Sequence, residues 1–407
     1  MYIKRHMSKV LERAANDYPS VLVTGARQVG KSTLLENTFK NVPCISLDDF
    51  TVISKLKADP MYLVRENTPP IIFDEVQYAP IMFRSIKLQI DKDHKNGMYF
   101  MTGSQAFALM KGVSESLAGR VGIFDLLGLS NREISGEDFD KPFLPTEEYF
   151  KERKPKIEKV DLTKMWKRIQ RGSMPELIVN EKKDWNNFYR DYFRAYIERD
   201  VRALEQVGDE IAFANFVTAL AARTGELLNM ASISKDIGIS QPTIKKWISI
   251  LRASNIITLL QPFSLNAKTR IVKTPKIYFN DTGLVCFLCG WNTPESTKNG
   301  AQSGNIFETF VVGEIMKSYL NAGKDTRNIY YYRDNHSEID LLFWENGTLY
   351  PIEIKKTSSP NPKDIKHFAI LQNAFPTQKI GTGGLICNYD KLINYGEGNK
   401  IIPVNYI

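Results

Sequence analysis

This chain is poor in the residues needed for a disulfide framework, a membrane span or a histidine-rich metal centre. Its 407 residues include four cysteines and four histidines, too few and too scattered for a disulfide scaffold or a structural metal. Only Cys286 and Cys289 form a CxxC, inside the apolar run GLVCFLCG and with no second pair nearby. Two buried thiols are expected there rather than zinc. No uninterrupted apolar run approaches the roughly 18 residues that cross a bilayer, so no membrane partner is expected. The first residues, MYIKRHMSKVLERAANDYP, carry charge without an apolar core, so a secretory signal is not expected either. The expected setting is the reducing cytoplasm. What is present is an ordinary globular composition, 43% hydrophobic and 25% charged, in a length that suggests about two to four domains.

The net charge is +8, and it is unevenly placed. Residues 231–276 carry eight lysines and arginines against one acid, Asp236, whereas the last 107 residues balance at eleven of each sign. Nearly the whole excess therefore sits in one short segment, as a nucleic-acid surface requires.

Residues 21–35 read VLVTGARQVGKSTLL: a strand-like run, then Gly25-x-x-x-x-Gly30-Lys31-Ser32, then a helix-like stretch. The chemistry needs that order. Glycines let backbone N–H groups wrap phosphates, and the following helix N-terminus adds positive potential. Lys31 can reach the β- and γ-phosphates, the Ser32 hydroxyl can ligate Mg²⁺, and Thr33 stands beside it in the first turn. A second strand, PPIIFDEVQ, ends in Asp74, where a carboxylate can hold Mg²⁺ through water, and in Glu75, a candidate to orient the attacking water. A third, MYFMTGSQ, ends in Thr102-Gly103-Ser104, where Thr102 can sense a γ-phosphate or serve only as a turn residue. Arg120, before a further apolar strand, fits either a finger to a neighbour's nucleotide or a plain surface arginine. ATP and Mg²⁺ are the cofactors expected.

The segment 141–164 is rich in proline and mixed charge and reads as a linker or exposed connection. Helical periodicity then runs from Trp166 to Arg223. In NMASISKDIGISQPTIKKWISILRASNII, Gly238 is a plausible left-handed stop and Ser240 an N-cap, with Pro242 in the next helix's first turn. Ile244, Trp247, Ile248 and Leu251 share one face at i, i+3, i+4, i+7. That leaves Thr243, Lys245, Lys246, Ser249 and Arg252 outside, the pattern of a helix-turn-helix reading helix. IITLLQPFS and KTPKIYFN read as the strands of a wing, with Lys268 and Arg270 between them. A structural or protein-binding winged helix fits the same pattern.

SEIDLLFWENGTLYPIEIKK, residues 337–356, reads as two strands joined by an Asn346-Gly347 turn. Its acids are odd for strands that bury a face. Asp340 and Glu353 could share one or two Mg²⁺ across neighbouring strands, and Lys355 could orient a water or steady charge on a phosphate. The preceding helix offers Glu308 or Glu314 as a further ligand, and PKDIKHFAILQNAF reads as a following helix. A solvated sheet face is the alternative.

Taken together, GARQVGKSTLL, IIFDEVQ, TGSQ, SLAGRV, GSMPE, YIERD, YFNDTGL and EIDLLFW…YPIEIKK, in this order, resemble a family of bacterial and archaeal AAA-type ATPases. Its C-terminal region is a domain of unknown function with a PD-(D/E)XK nuclease-like core. The resemblance implies an α/β multidomain chain. An AAA-type parallel-sheet ATPase would occupy 1–140, a linker and helical region 141–208, and a winged helix 209–280. A linker at 281–300 and a restriction-endonuclease-like α/β domain at 301–407 would complete it. The matching positions are Gly30, Lys31, Ser32, Asp74 and Glu75 in the ATPase motifs and Asp340, Glu353 and Lys355 in the nuclease motif. Two functions fit: an ATP-dependent enzyme acting on DNA with metal-dependent cleavage, or a nucleotide-controlled switch whose last domain has become an interaction module. Self-association is expected only if Arg120 acts on a neighbour.

Overall fold

The computed structural model describes residues 1–104, 116–156, 159–196, 210–266, 273–335, 337–396 and 398–407. Five strands near the N-terminus, β1 (Ser20–Thr24), β2 (Cys44–Ser46), β3 (Ile71–Asp74), β4 (Tyr99–Gly103) and β5 (Val121–Asp125), pair in parallel in the order β2-β3-β4-β1-β5. β1 and β4 are buried along their whole length, which is why their sequences run apolar rather than alternating. The carboxyl ends of β1, β3 and β4 lie together, the usual place for a ligand on such a sheet.

The middle of the chain is a helical layer with one hairpin. Helices Glu210–Ala221, Met230–Ile237 and Gln241–Ala253 precede the antiparallel pair β6 (Ile257–Leu260) and β7 (Lys276–Phe279). Gly238 ends the second helix at φ 70°, and the Ser240 hydroxyl accepts from the Thr243 N–H at 3.4 Å to begin the third. Ile244, Trp247, Ile248 and Leu251 are all buried.

The last part is a mixed sheet ordered β13-β14-β12-β10-β9-β8, with β11 beside β10. Its strands are β8 (Ile329–Arg333), β9 (Glu338–Glu345), β10 (Thr348–Lys355), β11 (Lys379–Ile380), β12 (Gly384–Cys387), β13 (Ile393–Asn394) and β14 (Lys400–Pro403). Asn346 and Gly347 turn β9 into β10 with φ of 48° and 76°, the pair of positive values that an Asn-Gly hairpin supplies. The long helix Ser303–Asn321 is buried around most of its circumference, as a helix held between layers must be.

Three expectations need correction. The segment 141–164 is no exposed linker: Phe143, Tyr149, Phe150 and Arg153 are buried, and Arg153 donates to the carbonyls of Asn405 and Tyr406 at 2.9 and 3.2 Å. Nor is 281–300 a free connection, because the helix Thr282–Leu288 buries Leu284, Val285 and Cys286. The stretch after β10 is two 3₁₀ turns, Pro362–Asp364 and Lys366–Ala369, followed by the short helix Ile370–Ala374. One continuous core runs from Met7 and Leu126 through Phe143, Trp166 and Trp247 to Phe343 and Ile407. The first two segments read as connections in the sequence, but Phe143, Tyr149 and Phe150 in one and Leu284, Val285 and Cys286 in the other join this core.

Candidate nucleotide site and acidic cluster

The loop after β1 is shaped by positions that only permissive residues fill. Gly25 has φ +151°, and a Cβ there would stand 2.2 Å from the carbonyl oxygen of Leu126. Gly30, at φ +90°, precedes the helix Lys31–Thr38. The buried Lys31 ammonium donates to the carbonyls of Gly25 and Ala26 at 3.1 and 2.9 Å, closing the loop on itself. Thr33 is exposed in the first turn.

The predicted partners converge here. The Ser32 hydroxyl donates to Asp74 Oδ1 at 2.5 Å, and the Thr102 hydroxyl donates to the same oxygen. The Glu75 N–H donates to Thr102 Oγ1 at 3.1 Å. Glu75 itself sits at φ 57°, a conformation that costs a non-glycine residue about 1–3 kcal/mol and is retained mostly at functional sites. Its carboxylate accepts from Gln77 Nε2 and from the Ser104 hydroxyl at 3.3 Å. Ser104 and Gln77 thus aim the carboxylate, and Gln77 went unnoticed in the sequence.

Hard oxygen donors on Ser32 and Asp74 suit Mg²⁺, and the loop's N–H groups and Lys31 suit a nucleotide triphosphate. Ser32 and Asp74 would hold that ion, whose chemistry there would be to neutralise phosphate charge. Lys31 would then exchange the loop carbonyls for phosphate oxygens, and Glu75 would take a proton from water.

Arg120 lies elsewhere. Its carbonyl accepts from the Ser20 N–H at the start of β1, the end of the sheet opposite the loop, and its guanidinium pairs with Asp91 at 2.6 Å. It does not enter its own chain's nucleotide site. In its place a different arginine braces the loop. Arg5, 3% exposed, donates to the carbonyls of Val29 and Leu127 at 3.1 and 2.7 Å and pairs with Glu133. A lone arginine far upstream of the motif gave no sequence signal.

Two of the family-like motifs acquire roles. The GSMPE stretch lies beside the loop, with Pro175 Cγ 3.8 Å from where a Gly30 Cβ would sit. Asp281, from YFNDTGL, fastens it by accepting from the Ser173 N–H and hydroxyl at 2.7 and 2.9 Å and from the Tyr189 hydroxyl at 2.6 Å. Asn255, after the helix Gln241–Ala253, reaches Asp125 at the end of β5 at 3.4 Å.

The acids of the C-terminal sheet do not form the predicted set. β9 shifts register against β8 between Tyr330 and Tyr332, which turns Asp340 toward β7. There the buried Lys276 ammonium meets Glu338 at 2.6 Å, Glu308 at 3.1 Å and Asp340 at 3.3 Å. The other Asp340 oxygen accepts from the Ile354 N–H at 2.9 Å, and the Tyr278 hydroxyl donates to Glu308 at 2.6 Å. Burial, then the neighbouring Asp340 charge, pushes Glu308 up to about 7. Burial pulls Lys276 down, but Tyr278 and the three acids outweigh it, and the net direction is up.

Glu353 looks elsewhere, to Lys355 at 2.7 Å and His367 Nε2 at 3.0 Å. Among the described residues no three His, Cys, Asp or Glu side chains are grouped to hold a metal. The expected Mg²⁺ set of Asp340, Glu353 and Glu308 is therefore not assembled: a lysine occupies the cation's place between two of them. Glu314, the alternative helix acid, instead pairs with Lys317 and accepts from the Asn131 N–H at 2.7 Å.

On the helix Gln241–Ala253, Lys245, Lys246, Ser249 and Arg252 are exposed and Thr243 half-buried. Lys268 and Arg270 lie outside the described residues. Among the described residues no helix is long and apolar enough to cross a membrane.

Comparison with known proteins matches residues 17–135 to an AAA domain. Residues 162–295 and 303–407 match two domains of unknown function, DUF8612 and DUF4143. The uncharacterized proteins Rv2008c of Mycobacterium tuberculosis and Mb2031c of Mycobacterium bovis are each 28% identical over 364 residues, covering 88% of this chain and 75% of theirs. Among solved structures, the Walker-type ATPase PABY2304 of Pyrococcus abyssi matches with a TM-score of 0.43 and 16% identity over 70% of this chain and 96% of its own. A signal transduction ATPase with numerous domains and a tetratricopeptide repeat sensor, from Pyrococcus horikoshii, matches with a TM-score of 0.28 and 13% identity over 79% of this chain and 47% of its own. The domain match and the geometry around Lys31 and Asp74 agree: the N-terminal part of this chain is a P-loop AAA-type ATPase domain.

Proposed function

We propose that the chain is an ATP-controlled switch acting on nucleic acid, DNA first, in the cytoplasm, and that its C-terminal domain transmits nucleotide state rather than cutting. The observation that carries this reading is a single short strand, β7. At one end Lys276 is held by the acids of the C-terminal domain, and just past the other Asp281 holds the stretch beside the P-loop. A shift in that stretch on ATP binding or hydrolysis would pull on both the C-terminal domain and the hairpin that follows the basic helix. The three helices and the hairpin are read as a winged helix, and the exposed face of Lys245, Lys246, Ser249 and Arg252 as its nucleic-acid contact, extended by Lys268 and Arg270. Residues 301–407 are read as a nuclease-like fold that has lost its metal set.

Cleavage keeps one observation in its favour: three carboxylates share one lysine, and withdrawal of Lys276 would release them. Arg120 can reach a nucleotide only in a second copy, so a role for it requires self-association, read by light scattering of the full chain with and without ATP.

The test is DNA binding by fluorescence anisotropy without nucleotide, with ADP and with ATP, for wild type and Lys31→Ala. Parallel reactions with Mg²⁺ or Mn²⁺ score cleavage in wild type and Asp340→Ala. The expected result is nucleotide-dependent affinity in wild type alone, with DNA intact throughout. Cleavage that disappears in Asp340→Ala would replace the switch with a nuclease, and equal affinity in every nucleotide state would remove the switch.

A further inference from the structure

A cavity of about 210 Å³ opens where the ATPase domain, the central helices and the last residues of the chain meet. The helix Asn131–Ile134 contributes Arg132, the segment after it Arg153, and the helix Leu162–Arg171 contributes Lys164 and Arg168. Met165, Phe310 and Val404 supply an apolar wall, and Lys159 stands exposed at its edge.

Among the described residues, five lysines and arginines line this cavity against two acids. Of the two acids lining it, Glu137 pairs with Arg153 at 2.6 Å, and Asp161 caps its own helix by accepting from the Lys164 N–H at 3.0 Å. Nearby Glu314 is held by Lys317. Arg132, 3% exposed, donates to the Lys141 carbonyl and the Tyr149 hydroxyl, each at 2.6 Å, but its buried Nε has no acceptor among the described residues. The buried Nη1 of Arg168 has none either. Among the described residues neither guanidinium has a carboxylate within ion-pair distance. A buried charge without a partner is costly, and a native structure keeps one only where something compensates it. Burial pushes both guanidiniums down, and the charge of nearby Glu314 offsets only part of that.

We propose that this cavity binds a small phosphate-bearing anion, clasped between Arg132 and Arg168. Two guanidiniums with no carboxylate in contact among the described residues favour an anion of more than one negative charge. Their planar forks match the oxygens of a phosphoryl group, and the apolar wall leaves room for a small carbon body. The volume suits a small metabolite. Because the walls come from three parts of the chain, such a ligand would lock the ATPase domain to the central helices. The site is separate from the P-loop and does not depend on the switch reading.

The test uses the full chain carrying Lys31→Ala, so that the P-loop's own response to phosphate is weakened. Thermal melting and calorimetric titration are run with inorganic phosphate and with glycerol 3-phosphate, against sodium chloride at equal ionic strength. Both phosphates should raise Tm where chloride does not. Adding Arg168→Met should weaken their binding by at least about tenfold, while the phosphate-free protein melts no lower than its parent. No phosphate-specific shift, or an unchanged one in Arg168→Met, overturns the proposal. So does a large fall in Tm without phosphate, which would mean the protein itself compensates Arg168. If Arg168→Met does not fold, Arg168→Lys keeps the charge and loses the fork; phosphate binding as tight as in the parent would then overturn the site.

Discussion

The nucleotide site and the C-terminal acidic cluster were both read from short polar motifs ending apolar strands, yet only the first assembles as read. Ser32, Asp74 and Thr102 meet on one oxygen. Asp340 and Glu353, on adjacent strands, turn to different partners, Lys276 and the Lys355–His367 pair. The difference lies in what each motif specifies. A P-loop dictates its own backbone through glycines at positive φ, and parallel strands bring their carboxyl ends together whatever the loops between them do. A pair of acids on an antiparallel hairpin depends on register, and one irregular step redirects a side chain.

The comparison can be broken in several ways. The largest effect is expected at Lys276. Lys276→Met would leave Glu308, Glu338 and Asp340 without their shared cation, and loss of one partner from a buried ion cluster costs about 3–5 kcal/mol. Denaturant unfolding should show that loss, and a further Glu308→Gln should recover part of it. If Lys276→Met unfolds like wild type, the cluster does not fasten β7 to the C-terminal domain. Next comes Lys31→Ala. Removing a donor aimed at developing charge lowers turnover by roughly 10²–10³-fold, so steady-state ATP hydrolysis should drop by that order while the melting curve holds. Hydrolysis at the wild-type rate would detach the chemistry from this loop.

A smaller effect concerns acidity. The folded-state pKa of Glu308 is raised to about 7 from an ordinary value of 4.5. Its contribution to stability is therefore fully present below about pH 4.5 and is lost as pH rises through about 7. Glu308→Gln stays neutral throughout, so its Tm relative to wild type should climb between about pH 5 and 8. A constant difference would contradict the shift. The smallest change is at the basic helix: Lys245→Ala with Lys246→Ala should reduce the salt dependence of DNA affinity by about two phosphate contacts. An unchanged slope would move the contact elsewhere.

Much of the fold was legible. The strands ending at Asp74 and Gly103, the Gly238 stop, the Ser240 cap and the Asn346-Gly347 turn are local decisions, each made by residues within a few positions of the feature. What escaped was long-range. Arg5 lies 24 residues before the Val29 carbonyl it braces, Asp281 lies 108 after the Ser173 it fastens, and Lys276 lies 64 before Asp340. The segment 141–164 misled for a related reason: its prolines and charges outnumber the aromatics, but Phe143, Tyr149 and Phe150 are buried.

The sequence by itself determined that a phosphate-binding loop follows β1, that carboxylates end the strand β3, and that basic charge gathers on one helix face. Each of these follows from backbone preference and periodicity over a few residues. Only the tertiary structure decided which cation faces Asp340, which arginine stands beside the nucleotide loop, and which guanidiniums have no carboxylate in contact among the described residues. Those outcomes depend on which distant groups share a buried site. Burial makes an unpaired charge costly, and it is the packing of all the layers together, not any single motif, that assigns the partners.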